Sequence, residues 1–180
     1  PTTVVAAFDP KSPINASRNN TGRRELPPPQ PAVIWYPTTE SREFPELGSG
    51  ARCSMAGPVY YFDAKLDSPL KLPAALDRSL FIYDWTRNWI KAVKLDGQGG
   101  IARIAPFMGG VSFRKPMDLK LAADGTLYLI EYGDKWQGNR DAQIVRIVYR
   151  RGNRLPLALA DASPDRARPS ARAETASGRS

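Results

Sequence analysis

The residues of this chain best suited to chemistry stand in one run, Asp84-Trp85-Thr86-Arg87-Asn88-Trp89. Two indoles flank a cation and an amide, and a carboxylate opens the run. Such a set could stack on a flat ring while its polar groups hydrogen-bond the substituents. The same residues also suit a structural use, with both Trp packed between neighbouring sheets and Asp84 tying its own turn. Arg114 and Lys115, just before Pro116 and Asp118, form a second set that could hold an anion or lie in solvent as a loop pair. Ser54-Met55-Ala56-Gly57-Pro58 has no bulky polar side chain, so a ligand could approach its backbone closely at Met55 and Gly57, or it is a tight strand entry. Asp84, Asp118 and Glu131 show no paired-carboxylate spacing of the kind a glycosidase uses.

What is missing constrains the chemistry further. Cys53 is the only cysteine and there is no His. No intramolecular disulfide, Cys/His zinc site or His-based triad is open to this chain. The formal charge is +8, but it gathers at the ends: residues 150–180 carry seven Arg against Asp161, Asp165 and Glu174, and residues 1–24 carry four cations against Asp9. The centre is close to neutral, so no basic folded face for nucleic acid is expected. No apolar run approaches the roughly 20 residues that span a bilayer, and the first residues lack a signal-peptide pattern.

The elements that must position these residues are strands. Seventeen Pro and 14 Gly are a heavy load of breakers, and nine of the Pro fall in residues 1–50, which read as a long irregular connection. From Met55 onward, short runs rich in Val, Ile, Leu, Tyr and Phe alternate with turns: MAGPVYYFD, SLFIYDW, WIKAVKLD, IARIAPFM, PMDLKLA, ADGTLYLIEYG and AQIVRIVYRR. Leu80-Phe-Ile-Tyr-Asp-Trp85 matches Leu127-Tyr-Leu-Ile-Glu-Tyr132 class for class at an offset of 47, and Ile90-Lys-Ala-Val93 matches Ile144-Val-Arg-Ile147 at an offset of 54. The second copy therefore has a corner seven residues longer, and it lacks an evident fourth strand. A four-strand unit of this period is that of a propeller blade. The fold class expected is all-β: a partial β-propeller of about two four-stranded blades over residues 51–151, led by the Pro-rich connection and trailed by a disordered basic tail over residues 152–180.

NNTGRRELPPPQPAVIWYP, EFPELGSGARCSMAGPVYY, LFIYDWTRNWIKAVKLD and PMDLKLAADGTLYLIEYG together resemble the last two blades of the glucose/sorbosone dehydrogenase family, six-bladed propellers related to the pyrroloquinoline quinone (PQQ) sugar dehydrogenases. The likeness is to the bacterial branch joined to PKD and cytochrome c domains. It implies a C-terminal fragment of a periplasmic or secreted oxidoreductase of carbohydrate metabolism, whose parent binds PQQ and calcium and oxidises a sugar by hydride transfer to the quinone. Carried over by position, the corner that holds a quinone carboxylate falls on Thr86 with Arg87 beside it, and an Arg-x-Arg pair falls on Lys115 and Met117. Asp84, Trp85, Trp89 and Asp118 would face the sugar. The His base and the calcium turn have no counterpart here, so the resemblance implies a fragment that binds no cofactor or metal of its own and is catalytically inert. Its partners would be the rest of the propeller and a sugar or polysaccharide, with no nucleic acid. A carbohydrate-binding or scaffolding propeller module without redox activity is the alternative.

Overall fold

Strand β2 (Ser79–Asp84) is buried at every position except half-buried Leu80, so it must be covered on both faces. Its sequence SLFIYD runs almost unbroken in apolar residues because neither face meets water. The structure, a computed structural model, describes residues 9–150. The chain divides into two compact units after Trp35. In the first, a bridge between Ile14 and Glu25 and hydrogen bonds from Asn15 N to Arg24 O (2.8 Å) and Leu26 N to Pro13 O (3.0 Å) close a small loop. The tail expected over residues 152–180 lies outside the described residues.

The second unit holds two antiparallel sheets. β1 (Ser54–Tyr60), β2, β3 (Trp89–Leu95) and β4 (Ile101–Pro106) pair in that order, and β5 (Pro116–Leu121), β6 (Leu127–Glu131) and β7 (Gln143–Ile147) form a second, three-stranded sheet. No α-helix occurs among the described residues; there are only two short 3-10 turns, Pro45–Leu47 and Ala74–Leu76. The all-β expectation holds at this level, with the repeat realised as sheets of four and three strands. Asp124-Gly125 makes the β5–β6 turn, with Gly125 at φ 77° and Asp124 Oδ1 accepting from Thr126 N (3.1 Å) and Oγ1 (2.7 Å).

One core joins the sheets. Phe81, Tyr83, Ile90, Ala92, Ala105 and Phe107 of the first meet Leu119, Leu127, Leu129 and Ile147 of the second, with Tyr60, Leu72 and Leu76 closing one end. Phe81 and Phe107 stack edge to face at 4.8 Å between ring centres. On the other side of the first sheet Ile82, Lys91, Val93 and Ile104 are also buried, as are Tyr36, Phe44 and Leu47 of the strandless stretch 36–51. That stretch is the cover. The outer face of the second sheet has none among the described residues: Ile130, Tyr128 and Ile144 are 43%, 41% and 72% exposed.

Gly57 sits at a register break in β1, between Ala56 and Val59. A Cβ added there would lie 3.2 Å from the Phe81 carbonyl oxygen and 3.4 Å from both Leu119 Cδ2 and Tyr83 Cε1. The close approach permitted by this glycine is therefore that of its neighbour β2 and of Leu119 from the second sheet. Gly57→Val is expected to destabilise the chain by about 1–3 kcal/mol through overpacking, while Gly97→Val, whose Cβ meets nothing within 4 Å, stays within about 0.5 kcal/mol; urea unfolding measures both.

The buried tyrosines give an alkaline limit. The Tyr60 hydroxyl donates to the Leu72 carbonyl. Burial, with Asp77 and Asp63 adding negative potential, pushes its pKa up from 10.0 to about 12. Tyr83 moves the same way through burial and then Asp118. Each phenol holds its proton more tightly folded than unfolded, so the stability it supports is whole below pH 10 and is lost as pH rises above it, for Tyr60 toward about 12. Urea midpoints are expected to fall across that window, and Tyr60→Phe to flatten the fall.

Candidate functional site

The run 84–89 divides by role once its geometry is laid out. Asp84 is fully buried. Its Oδ1 accepts the backbone N–H groups of Thr86 and Arg87, both at 2.8 Å, and its Oδ2 accepts the Tyr36 hydroxyl at 2.7 Å and the Cys53 N–H at 3.2 Å. A carboxylate out of water persists only with such donors around it. Burial first, then Asp84, pushes the Tyr36 pKa well above the ordinary phenol value. This carboxylate ties its own turn and has no lone pair directed at a sugar.

Arg87 is equally engaged. Its Nε donates to Ala51 O (3.1 Å), Nη1 to Leu47 O (2.7 Å) and Gly48 O (2.9 Å), and Nη2 to Pro37 O (3.0 Å) and Gly50 O (2.8 Å). These acceptors match the guanidinium's five N–H groups. The ring of Tyr36 lies 4.8 Å from its central carbon. Arg87 therefore clamps the cover 37–51 onto the corner of the first sheet. Thr86 offers its N–H to Asp84, and Met55 packs against the core.

The two indoles part company. Trp89 turns to the cover, 6.2 Å from the Tyr36 ring with Lys91 Nζ 5.0 Å away, and its buried Nε1 has no hydrogen-bond partner among the described residues. Burial pushes the Lys91 pKa down, and the Glu46 carboxylate opposes the shift. Trp85 turns instead toward the second sheet, edge-on to Tyr132 at 5.7 Å and to Trp136 at 5.3 Å, with Lys115 Nζ 4.8 Å from its ring centre. Trp136 is 69% exposed, and the Tyr132 hydroxyl donates to its carbonyl. Asp118 is paired with Lys120 at 3.5 Å on the outer face of the second sheet.

The second sheet repeats the first sheet's device with the longer acid. Glu131, 5% exposed, accepts the Arg114 N–H at 2.7 Å and Gln143 Nε2 at 2.7 Å. Lys115 N donates to Asn88 Oδ1 at 3.0 Å, and its carbonyl accepts from Tyr132 N at 3.0 Å. The corners of the two sheets thus converge on Lys115. The candidate site is Trp85, Lys115, Tyr132 and Trp136, with Arg114 adjoining. Sequence reasoning named Trp85, Lys115 and Arg114 and passed over Tyr132 and Trp136; the available signal was the longer corner of the second copy.

These residues fit a quinone poorly. Of the carried-over positions, Arg87 has its donors on backbone carbonyls, Thr86 gives its N–H to Asp84, Met117 is uncharged, and Lys115 alone offers a cation. Among the described residues no group of three or more His, Cys, Asp or Glu side chains stands close enough to hold a metal ion.

Arg87→Lys replaces the planar fork by a point charge. It is expected to destabilise the chain by about 2–4 kcal/mol and to open residues 37–51 to limited proteolysis, read against urea unfolding of the parent. No protein-family model, no curated protein and no solved structure matches this chain.

Proposed function

We propose that the chain is a carbohydrate-binding portion of a propeller-type β protein, and that the corner formed by Trp85, Lys115, Tyr132 and Trp136 binds the sugar. The observation that carries this reading is the exposed indole of Trp136, held edge-on to Trp85 where the two sheets meet. An indole left 69% exposed gives up most of the stabilisation that its burial would supply, so its place on a shelf of three aromatic rings points to a ligand with a flat apolar face. A pyranose ring has such a face on its axial C–H side, and hydroxyls at its rim for the polar groups nearby.

The quinone-dependent sugar dehydrogenase reading shares the sugar but needs a base and a set of cations for the cofactor carboxylates. The chain has no His, and Arg87 is occupied. Binding without redox chemistry is the reading that these side chains support. Membership of a larger propeller is supported by the uncovered outer face of the second sheet, where Ile130 and Ile144 would meet a further sheet.

Retardation of the full chain in native gels containing soluble polysaccharides tests the reading. Migration is expected to slow in at least one, and Trp136→Ala to weaken that binding about three- to tenfold with an unchanged thermal midpoint. Unretarded migration in every polysaccharide, or retardation indifferent to Trp136, would overturn it.

A further inference from the structure

Lys115 is held where few lysines sit. Its φ is 54°, in the left-handed region, which costs a residue with a Cβ about 1–2 kcal/mol. Glycine or asparagine would hold that backbone with less strain. Its N–H is fixed by Asn88 Oδ1 and its carbonyl by Tyr132 N, both at 3.0 Å, so one corner from each sheet pins the same residue. What lysine adds there is its ammonium, over the Trp85 ring at 4.8 Å, the same ring that the exposed Trp136 meets edge-on at 5.3 Å. Strain kept at a surface corner for the sake of a side chain is a mark of use.

The charge around it is net positive. Arg114 precedes it with a side chain 48% exposed, and its Nη1 lies 3.6 Å from Asp141, beyond a hydrogen bond. Asp141 also accepts the Asp134 N–H at 3.1 Å. Lys135 and Arg140 are exposed on the same corner. The two corner segments therefore carry four cations, Arg114, Lys115, Lys135 and Arg140, against Asp134 and Asp141.

From this arrangement, and resting on the carbohydrate reading above, we infer that the corner selects a carboxylated sugar, a uronate residue of an acidic polysaccharide, with Lys115 as the residue that determines the preference. The pyranose stacks on Trp136, and its carboxylate meets the ammonium of Lys115 and the guanidinium of Arg114, a charge-assisted pairing that a neutral sugar cannot make. Single-stranded nucleic acid also combines rings with anions, but tracking its backbone needs a longer basic groove than one corner with two acids in it.

The test is titration calorimetry of the full chain with oligogalacturonate, its fully methyl-esterified form and oligouridylate. Oligogalacturonate is expected to bind about tenfold tighter than the ester, with a preference that shrinks as salt is raised. Lys115→Asn keeps a residue that tolerates the left-handed backbone; it is expected to fold with an equal or higher thermal midpoint and to lose the preference for acid over ester. Lys115→Arg is expected to keep the preference. Equal affinity for acid and ester would overturn the uronate inference and leave the carbohydrate reading standing. Tighter binding of oligouridylate would also overturn the inference. No binding of either galacturonate form, with the polysaccharide gels negative as well, would overturn both.

Discussion

A carboxylate withdrawn from water must have its lone pairs filled, and the first sheet is organised around that requirement. Asp84 ends β2 with no exposure, and its donors come from three separate places: its own turn, the entry to β1 at Cys53, and the hydroxyl of Tyr36. Satisfying one side chain therefore fixes the corner that follows, the register at which β1 begins, and the point where the covering stretch comes down. Arg87 completes the arrangement from the corner that Asp84 has shaped, reaching five carbonyls of residues 37–51. Without that cover, Ile82, Lys91, Val93 and Ile104 would lie open to water.

Sequence periodicity reached the strands because their physics is local. Each run of branched and aromatic residues between turn formers is a strand, and the repeated pattern LFIYDW and LYLIEY marks the centre of each sheet. The matched acid of the two copies is legible as a repeat, and each proves to be a buried acceptor, Asp84 for Cys53 and Glu131 for Arg114. What stayed hidden depends on contacts distant in sequence. Nothing near Arg87 announces that its guanidinium will meet carbonyls some 36 to 50 residues earlier, and a cation at a corner looks the same whether it faces a ligand or a loop. Trp85 and Trp89 look like one pair in the sequence. The pairing of Asp84 with Trp89 across the hairpin puts Trp89 on the covered side, while Trp85, outside the ladder, goes to the other sheet.

The longer corner of the second sheet explains why the candidate site lies at one place in the repeat. Both sheets use an acid at the same position to hold the chain entering their first strand, but the first closes its corner in four residues, 85–88, and the second takes eleven, 132–142. Gly133, at φ 102° and closely approached by Asp141 and Asn139, lets the second corner fold back on itself. The fold-back delivers Trp136 against Trp85. The shelf is thus made by departure from the repeat, as expected of loops that carry function on a regular scaffold.

The shelf also shares its anchors with the packing of the two sheets. Lys115 is pinned by Asn88 from one corner and Tyr132 from the other, and Trp85 touches rings of the opposite sheet. A ligand seated there touches groups that are correctly placed only while the sheets are docked. Whatever it gains in affinity from that placement it returns as resistance to their separation, since a ligand that binds the assembled corner and not the parted one stabilises assembly by mass action. The second sheet, with three strands and an open outer face, has fewer contacts of its own to hold it in place. Its docking is therefore the equilibrium on which an occupied corner has the greatest leverage.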